Sequence, residues 1–223
     1  MTREPKLISQ ASNTQQQLMR PNLKHQRGAS LILVLLILVV ASLLGVGAAQ
    51  IALMSERGSR NDRDLQVAWQ SAEAVILDAE CDILDPERMK TTPDSTKFNC
   101  PTSSRMTLFD GKSLAPFIDG CGASGGQNQG LCALVAAGKP AWMTVDFLNT
   151  TTTAPTTPYG QFTGRTFSAG VGLQPARPPR YVVEVVPDTI GDKSDPAYLY
   201  RVTGMGFGPR TDIQAVLQIL YRI

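Results

Sequence analysis

Histidine is almost missing from this chain: among 223 residues His25 is the only one. If the segment before the long apolar run is removed, nothing is left of the commonest general base and the commonest transition-metal ligand. Vicinal cysteine pairs are missing too. Cys81, Cys100, Cys121 and Cys132 include no CxxC, which argues against a zinc knuckle. A concentrated basic face is also absent. The net charge is +2, and much of it comes from Arg3, Lys6, Arg20, Lys24 and Arg27. A nucleic-acid partner would call for clustered Lys and Arg on a folded surface, so that class is set aside.

Two further absences define the first third of the chain. No charged residue occurs from Ala29 to Met54, and no proline from Ala29 to Asp85. At about 1.5 Å per residue, the apolar run is long enough to cross a hydrocarbon core about 30 Å thick. It is too long for the apolar core of a cleavable secretory signal, about 7 to 15 residues. An uncleaved signal anchor accounts for it equally well at this point. Basic residues do not decide the orientation, because Arg20, Lys24 and Arg27 before the run match Arg57, Arg60 and Arg63 after it. The short polar segment before the run and the cysteine-bearing sequence after it favour an N-in, single-pass topology. An even cysteine count in an oxidising compartment reads as two disulfides. Three pairings are open, and Cys81 with Cys100 plus Cys121 with Cys132 closes the shortest loops.

Beyond the run, Leu65, Ala68, Trp69, Ala72, Val75, Ile76 and Ala79 recur at helical spacing. Asp64, Gln66, Gln70, Glu73 and Glu80 lie mostly off that stripe, as in an amphipathic helix. One helix is therefore expected through both stretches, ending near Pro86, with Gly45, Gly47 and Gly58 as places for bends or close packing. The middle is rich in Pro, Gly, Thr and Ser. Thr150 to Pro158 reads as an exposed loop, and Leu131 to Ala137 and Trp142 to Leu148 as a helical turn and a strand. The last 43 residues carry three strand patterns, Tyr181–Val186, Tyr198–Thr203 and Ile213–Tyr221, an antiparallel meander whose cover is the helix stripe. The fold class is α+β, with the helix first and the sheet last.

Three chemical motifs fail on context. Gly122-Ala123-Ser124-Gly125-Gly126 matches GxSxG but lacks a flanking strand, a helix and a histidine. Gly204-Met205-Gly206-Phe207-Gly208 is followed by Pro209 and a strand pattern, not by a helix N-terminus. It reads as a strand end and turn. Asp188, Asp192 and Asp195 form a weak calcium candidate, outweighed by solvated turn acids.

The junction Gln26-Arg27-Gly28-Ala29-Ser30, followed at once by the apolar run, resembles a class III prepilin leader. Ser55 to Asp64, Leu65 to Glu80 and Tyr200 to Ile223 resemble PilX-type minor pilins, in order. The resemblance implies a pilin-like α+β fold and a structural, non-enzymatic subunit without a cofactor. Its segments would be a cytoplasmic leader (1–28), a membrane span (29–54), a helix extension (55–85), a cysteine-bearing loop region (86–180) and a sheet (181–223). It also implies cleavage between Gly28 and Ala29 by prepilin peptidase and N-methylation of Ala29. Partners would be other minor pilins, the major pilin, a tip adhesin and, before assembly, inner-membrane lipid. The destination is the periplasm and then the pilus. Leu33 stands where major pilins carry a glutamate that meets a neighbour's terminal amine. A subunit without it suits a place with no subunit beyond, the tip. The alternatives are a type II secretion pseudopilin and a signal-anchored periplasmic protein of another kind.

Overall fold

Without proline to interrupt it, Ala29–Ile83 forms one α-helix, α1, running through Gly45, Gly47 and Gly58. The computed structural model describes residues 29–84, 100–122, 126–167, 170–188 and 198–222. Pro86, at the expected helix end, lies outside them. By internal contacts the chain forms two units, Met1–Leu53 and Met54–Ile223. In the first unit the described residues are helical, and its apolar side chains, Leu31 through Leu53, are exposed.

The second unit is built around a sheet. The strands are β1 (Leu131–Cys132), β2 (Thr157–Pro158), β3 (Arg180–Pro187), β4 (Tyr198–Phe207) and β5 (Gln214–Arg222). The order is β1-β3-β4-β5, with β2 also on β3. The three C-terminal strands pair antiparallel, centred on Val183↔Val202 and Val202↔Ile219. The sheet is nevertheless mixed, because β1 runs parallel to β3. The two middle segments exchange the expected roles. Leu131–Cys132 is a strand, and Ala141–Met143 is a turn of 3-10 helix. Both are too short for a periodic signal, and each is fixed by partners distant in sequence.

One face of the sheet takes the helix. Val75, Ile76, Ala79 and Ile83 pack with Tyr181, Val183, Val185, Tyr200 and Val202, while Ala68 and Ala72 meet Ala215. Burial of each large side chain stabilises by about 1.5–3 kcal/mol. The other face takes the middle region, where Val182 packs with Cys121, Cys132, Ala141 and Phe147. The sheet is thus covered on both sides at β3, while β5 keeps one face exposed.

The glycine run is a strand end and turn, as expected: Gly204 to Phe207 are the last residues of β4, and Gly208 leads into the turn. A side chain at Gly206 would collide with the helix backbone at Ala68 and Ala72, and one at Gly204 with Val75 and Ile76. These glycines let helix and sheet approach closely. Gly206→Ala should therefore destabilise by about 1–3 kcal/mol, an overpacking cost. Gly58→Ala, on open helix surface, should stabilise by up to about 1 kcal/mol. Denaturant titration of the detergent-solubilised chain distinguishes the two signs.

Candidate functional site: a helix surface open on all sides and a domain closed by buried charge

The first unit presents apolar side chains around its whole circumference. Leu31, Ile32 and Leu33 are each at least 60% exposed, and the helix is long and apolar enough to span a membrane. Contiguous apolar surface of this extent is not kept in water. Lipid or other helices must cover it. Ala29 is the first helical residue, and Gly28 lies outside the described residues. Leu33 falls on this exposed surface, and the first acidic residue after Ala29 is Glu56.

In the second unit the most constrained chemistry is a buried charge pair at the top of α1. Asp82 and Arg105 have no exposed surface. Arg105 donates from Nε and Nη2 to Asp82 Oδ2 at 2.9 and 2.5 Å. From Nη1 it donates to the Gln127 and Gln129 carbonyls at 2.9 and 2.6 Å. Ser103 Oγ and Tyr181 Oη each donate to Asp82 at 2.6 Å. The guanidinium lies 3.7 Å from the centre of the Phe162 ring. Burial, then the Asp82 carboxylate, pushes the Tyr181 hydroxyl far above its ordinary pKa, so it stays a donor. Burial opposes the Arg105 charge, but Tyr181 and Asp82 outweigh it and raise its pKa.

One turn earlier, Asp78 accepts from the Gly160 amide at 2.7 Å and from Thr163 Oγ1 at 2.6 Å. Burial raises its pKa despite those donors and Arg165. Two carboxylates four residues apart therefore anchor two separate loops to the helix. A third loop is held by Gln129, which donates to the carbonyls of Ala154 and Thr156 at 2.9 and 3.2 Å. The Thr150–Pro158 segment is the exposed loop its composition suggests only as far as Thr153; its second half is largely buried and ends in β2. Ala154, Thr156 and Thr157 are fully buried, and Thr156 Oγ1 accepts from Arg180. Gly130 sits among them at φ 78°, where a side chain would strike Thr157. Disulfides Cys81–Cys100 and Cys121–Cys132 flank the pair, the first beside Asp82 and the second closing the loop that carries Gln127 and Gln129.

With no surface open to solvent, Asp82, Arg105 and Tyr181 cannot meet a substrate, and their chemistry is structural. The calcium candidate is not assembled among the described residues. Asp188 pairs with Arg222 at 2.7 Å, while Asp192 and Asp195 lie outside them. Ala123, Ser124 and Gly125 of the GxSxG match also lie outside.

Two family models match the chain, PilX N-terminal over residues 27–76 and type IV pilus assembly protein PilX C-term over residues 128–223. The first covers the apolar helix and most of the stripe, and the second covers the sheet with the Gln129 loop. The chain belongs to the PilX family of type IV pilus assembly proteins. No curated protein and no solved structure matches it. Membership makes it a minor pilin in the general sense, a pilus component that works through contact with other components. Its apolar helix fits a single-pass anchor. The PilX models leave out residues 77–127, which include Asp78, Asp82 and Arg105.

The buried pair provides a test of the domain. Arg105→Met leaves Asp82 unpaired and should destabilise by about 3–5 kcal/mol. Asp82→Asn combined with Arg105→Met should recover part of that loss. Arg105→Lys should not, because an ammonium cannot span the carboxylate and two carbonyls together. Urea melts of the four chains give the comparison.

Proposed function

We propose that the chain is a minor pilin of the pilus tip, inserted N-in with its cysteine-bearing domain in the periplasm. Prepilin peptidase removes residues 1–28, and Ala29 becomes the N-methylated start of the mature chain. The subunit then leaves the bilayer for the filament with other minor pilins, the major pilin and a tip adhesin. The observation that carries this reading is Leu33, on an apolar helix surface with no carboxylate before Glu56. A carboxylate in that surface would be costly in lipid unless paired. In a filament it would attract the terminal amine of the next subunit. With leucine there, the helix packs but does not recruit. The segments 1–28, 29–54, 55–85, 86–180 and 181–223 serve as leader, span, extension, cysteine-bearing loops and sheet. The family match to pilus assembly proteins favours this over a type II secretion pseudopilin.

Intact mass and N-terminal sequence of the membrane-extracted chain, with and without prepilin peptidase, test the processing. A methylated Ala29 start that depends on the peptidase is expected, and an unprocessed Met1 start in both strains would sink the proposal. Leu33→Glu tests the placement. It should spread the subunit from filament ends into the shaft, counted by immunogold labelling. An unchanged distribution would remove Leu33 as the determinant of position.

A further inference from the structure

The free edge of β5 is the surface the fold leaves least protected. β5 pairs with β4 through nine consecutive residues without a bulge, and among the described residues nothing pairs with its other side. Natural edge strands are blunted by lysine, proline, bulges or inward charge. Gln214–Arg222 has none of these, and its single charge is Arg222 at the very end. Exposed apolar side chains lie on either side of the edge, with exposed Gln218 between two of them. On the sheet face away from the helix, Val216 is 41% and Leu220 63% exposed.

The helix overhangs the same edge. Tyr221 of β5 bonds to Glu80, which fixes the flank of α1 that leans toward β5. Helical spacing places Glu73, Trp69 and Leu65 on that flank. The opposite flank, with Asp78, is taken by Gly160 and Thr163. Leu65 and Trp69 are 47% and 48% exposed. An open backbone edge is thus bracketed by apolar surface on both faces, the arrangement that an added strand fills.

Charge decides which strand fits. From Asp64 to Ile83 the helix carries five acidic residues and no basic one. Asp78 and Asp82 are turned to Arg165 and Arg105. Glu73 and Glu80 on the flank beside the edge accept from neutral donors, the Trp69 indole at 2.7 Å and the Tyr221 hydroxyl. A second copy pairing β5 to β5 about a two-fold axis would match Val216 with Leu220. It would also bring two acidic helix flanks together across the junction, and like charges there are unfavourable. We infer that the β5 edge receives an extended strand donated by a different protein, apolar on its outer face and bearing lysine or arginine on the face toward Glu73 and Glu80. Lysines four residues apart on such a strand are separated by about 13 Å. The two glutamates are about 10.5 Å apart along the helix, within reach of flexible lysine stems.

This inference is independent of tip placement, and its failure would leave that reading where it stands. The probe is an eight-residue strand peptide with valine on one face and threonine alternating with lysine on the other. A control peptide has glutamate for lysine. Both are added to the full chain in detergent micelles, and amide hydrogen exchange is followed residue by residue. The lysine peptide should slow exchange within Gln214–Arg222, and the control should bind roughly tenfold more weakly, as expected for two rim ion pairs. Leu220→Lys and Glu73→Gln, both on exposed positions, should weaken the lysine peptide while leaving exchange in β3 unchanged. Absence of β5 protection at millimolar peptide overturns the proposal. Equal protection by both peptides overturns its charge specificity. Protection of β5 that grows with protein concentration, without peptide, assigns the edge to a second copy instead.

Discussion

A charge buried away from water is tolerated only when every hydrogen-bonding position around it is filled, because removing an ion from solvent costs several kcal/mol even after relaxation. Asp82 and Arg105 impose that condition on the whole second unit. The guanidinium needs the carboxylate and the carbonyls of Gln127 and Gln129 at once. The carboxylate in turn needs Ser103 and Tyr181. Helix, loop 103–105, loop 127–129 and β3 must therefore arrive together. The two disulfides shorten that search. Cys81–Cys100 tethers the chain just before Ser103 to the residue beside Asp82, and Cys121–Cys132 pre-closes the loop that supplies the acceptors. Chain entropy saved in this way matters most where sequence is rich in glycine and poor in large apolar residues.

This also explains how a region of such composition is ordered. Between residues 100 and 180 the apolar anchors Phe109, Phe117, Leu131 and Phe147 are joined by polar, glycine-bearing stretches, and those stretches are positioned by directed bonds to two carboxylates of α1 and one glutamine. Such order is all-or-none. A half-satisfied polar network is worse than an apolar core, which makes loss of either charged partner, Arg105 or Asp82, more damaging than loss of any one neutral partner.

The legible parts of the sequence were those encoded by local period. The stripe Ala68, Ala72, Val75, Ile76 and Ala79 and the β-branched runs of β3 and β5 each specify an element and its buried face without reference to distant residues. What was not legible is non-local. Thr156 and Thr157 look like surface residues until Gln129 and Arg180 are placed beside them. Gly204 and Gly206 read as the end of a strand, but nothing in β4 announces that a helix lies against them. One signal was present. Asp78 and Asp82, four residues apart, are interleaved with Val75, Ala79 and Ile83 and so border the core face, where a carboxylate needs a partner.

The same rule about buried charge governs the other unit with the opposite outcome. Its helix surface is apolar on every side, so among the described residues of that unit no charged donor is present to partner a carboxylate placed there. A carboxylate would have to wait in lipid, unpaired and costly, until another subunit supplied an amine. On the proposed reading, Leu33 avoids that waiting state and gives up the attraction. In the second unit Asp78 and Asp82 are retained because their donors are intramolecular and close in the folded chain. Acidic residues thus occur in α1 where the chain itself can neutralise or bond them. Glu73 and Glu80, beside an unpaired sheet edge and bonded among the described residues by an indole and a phenol, are where the chain leaves negative charge for another molecule to meet.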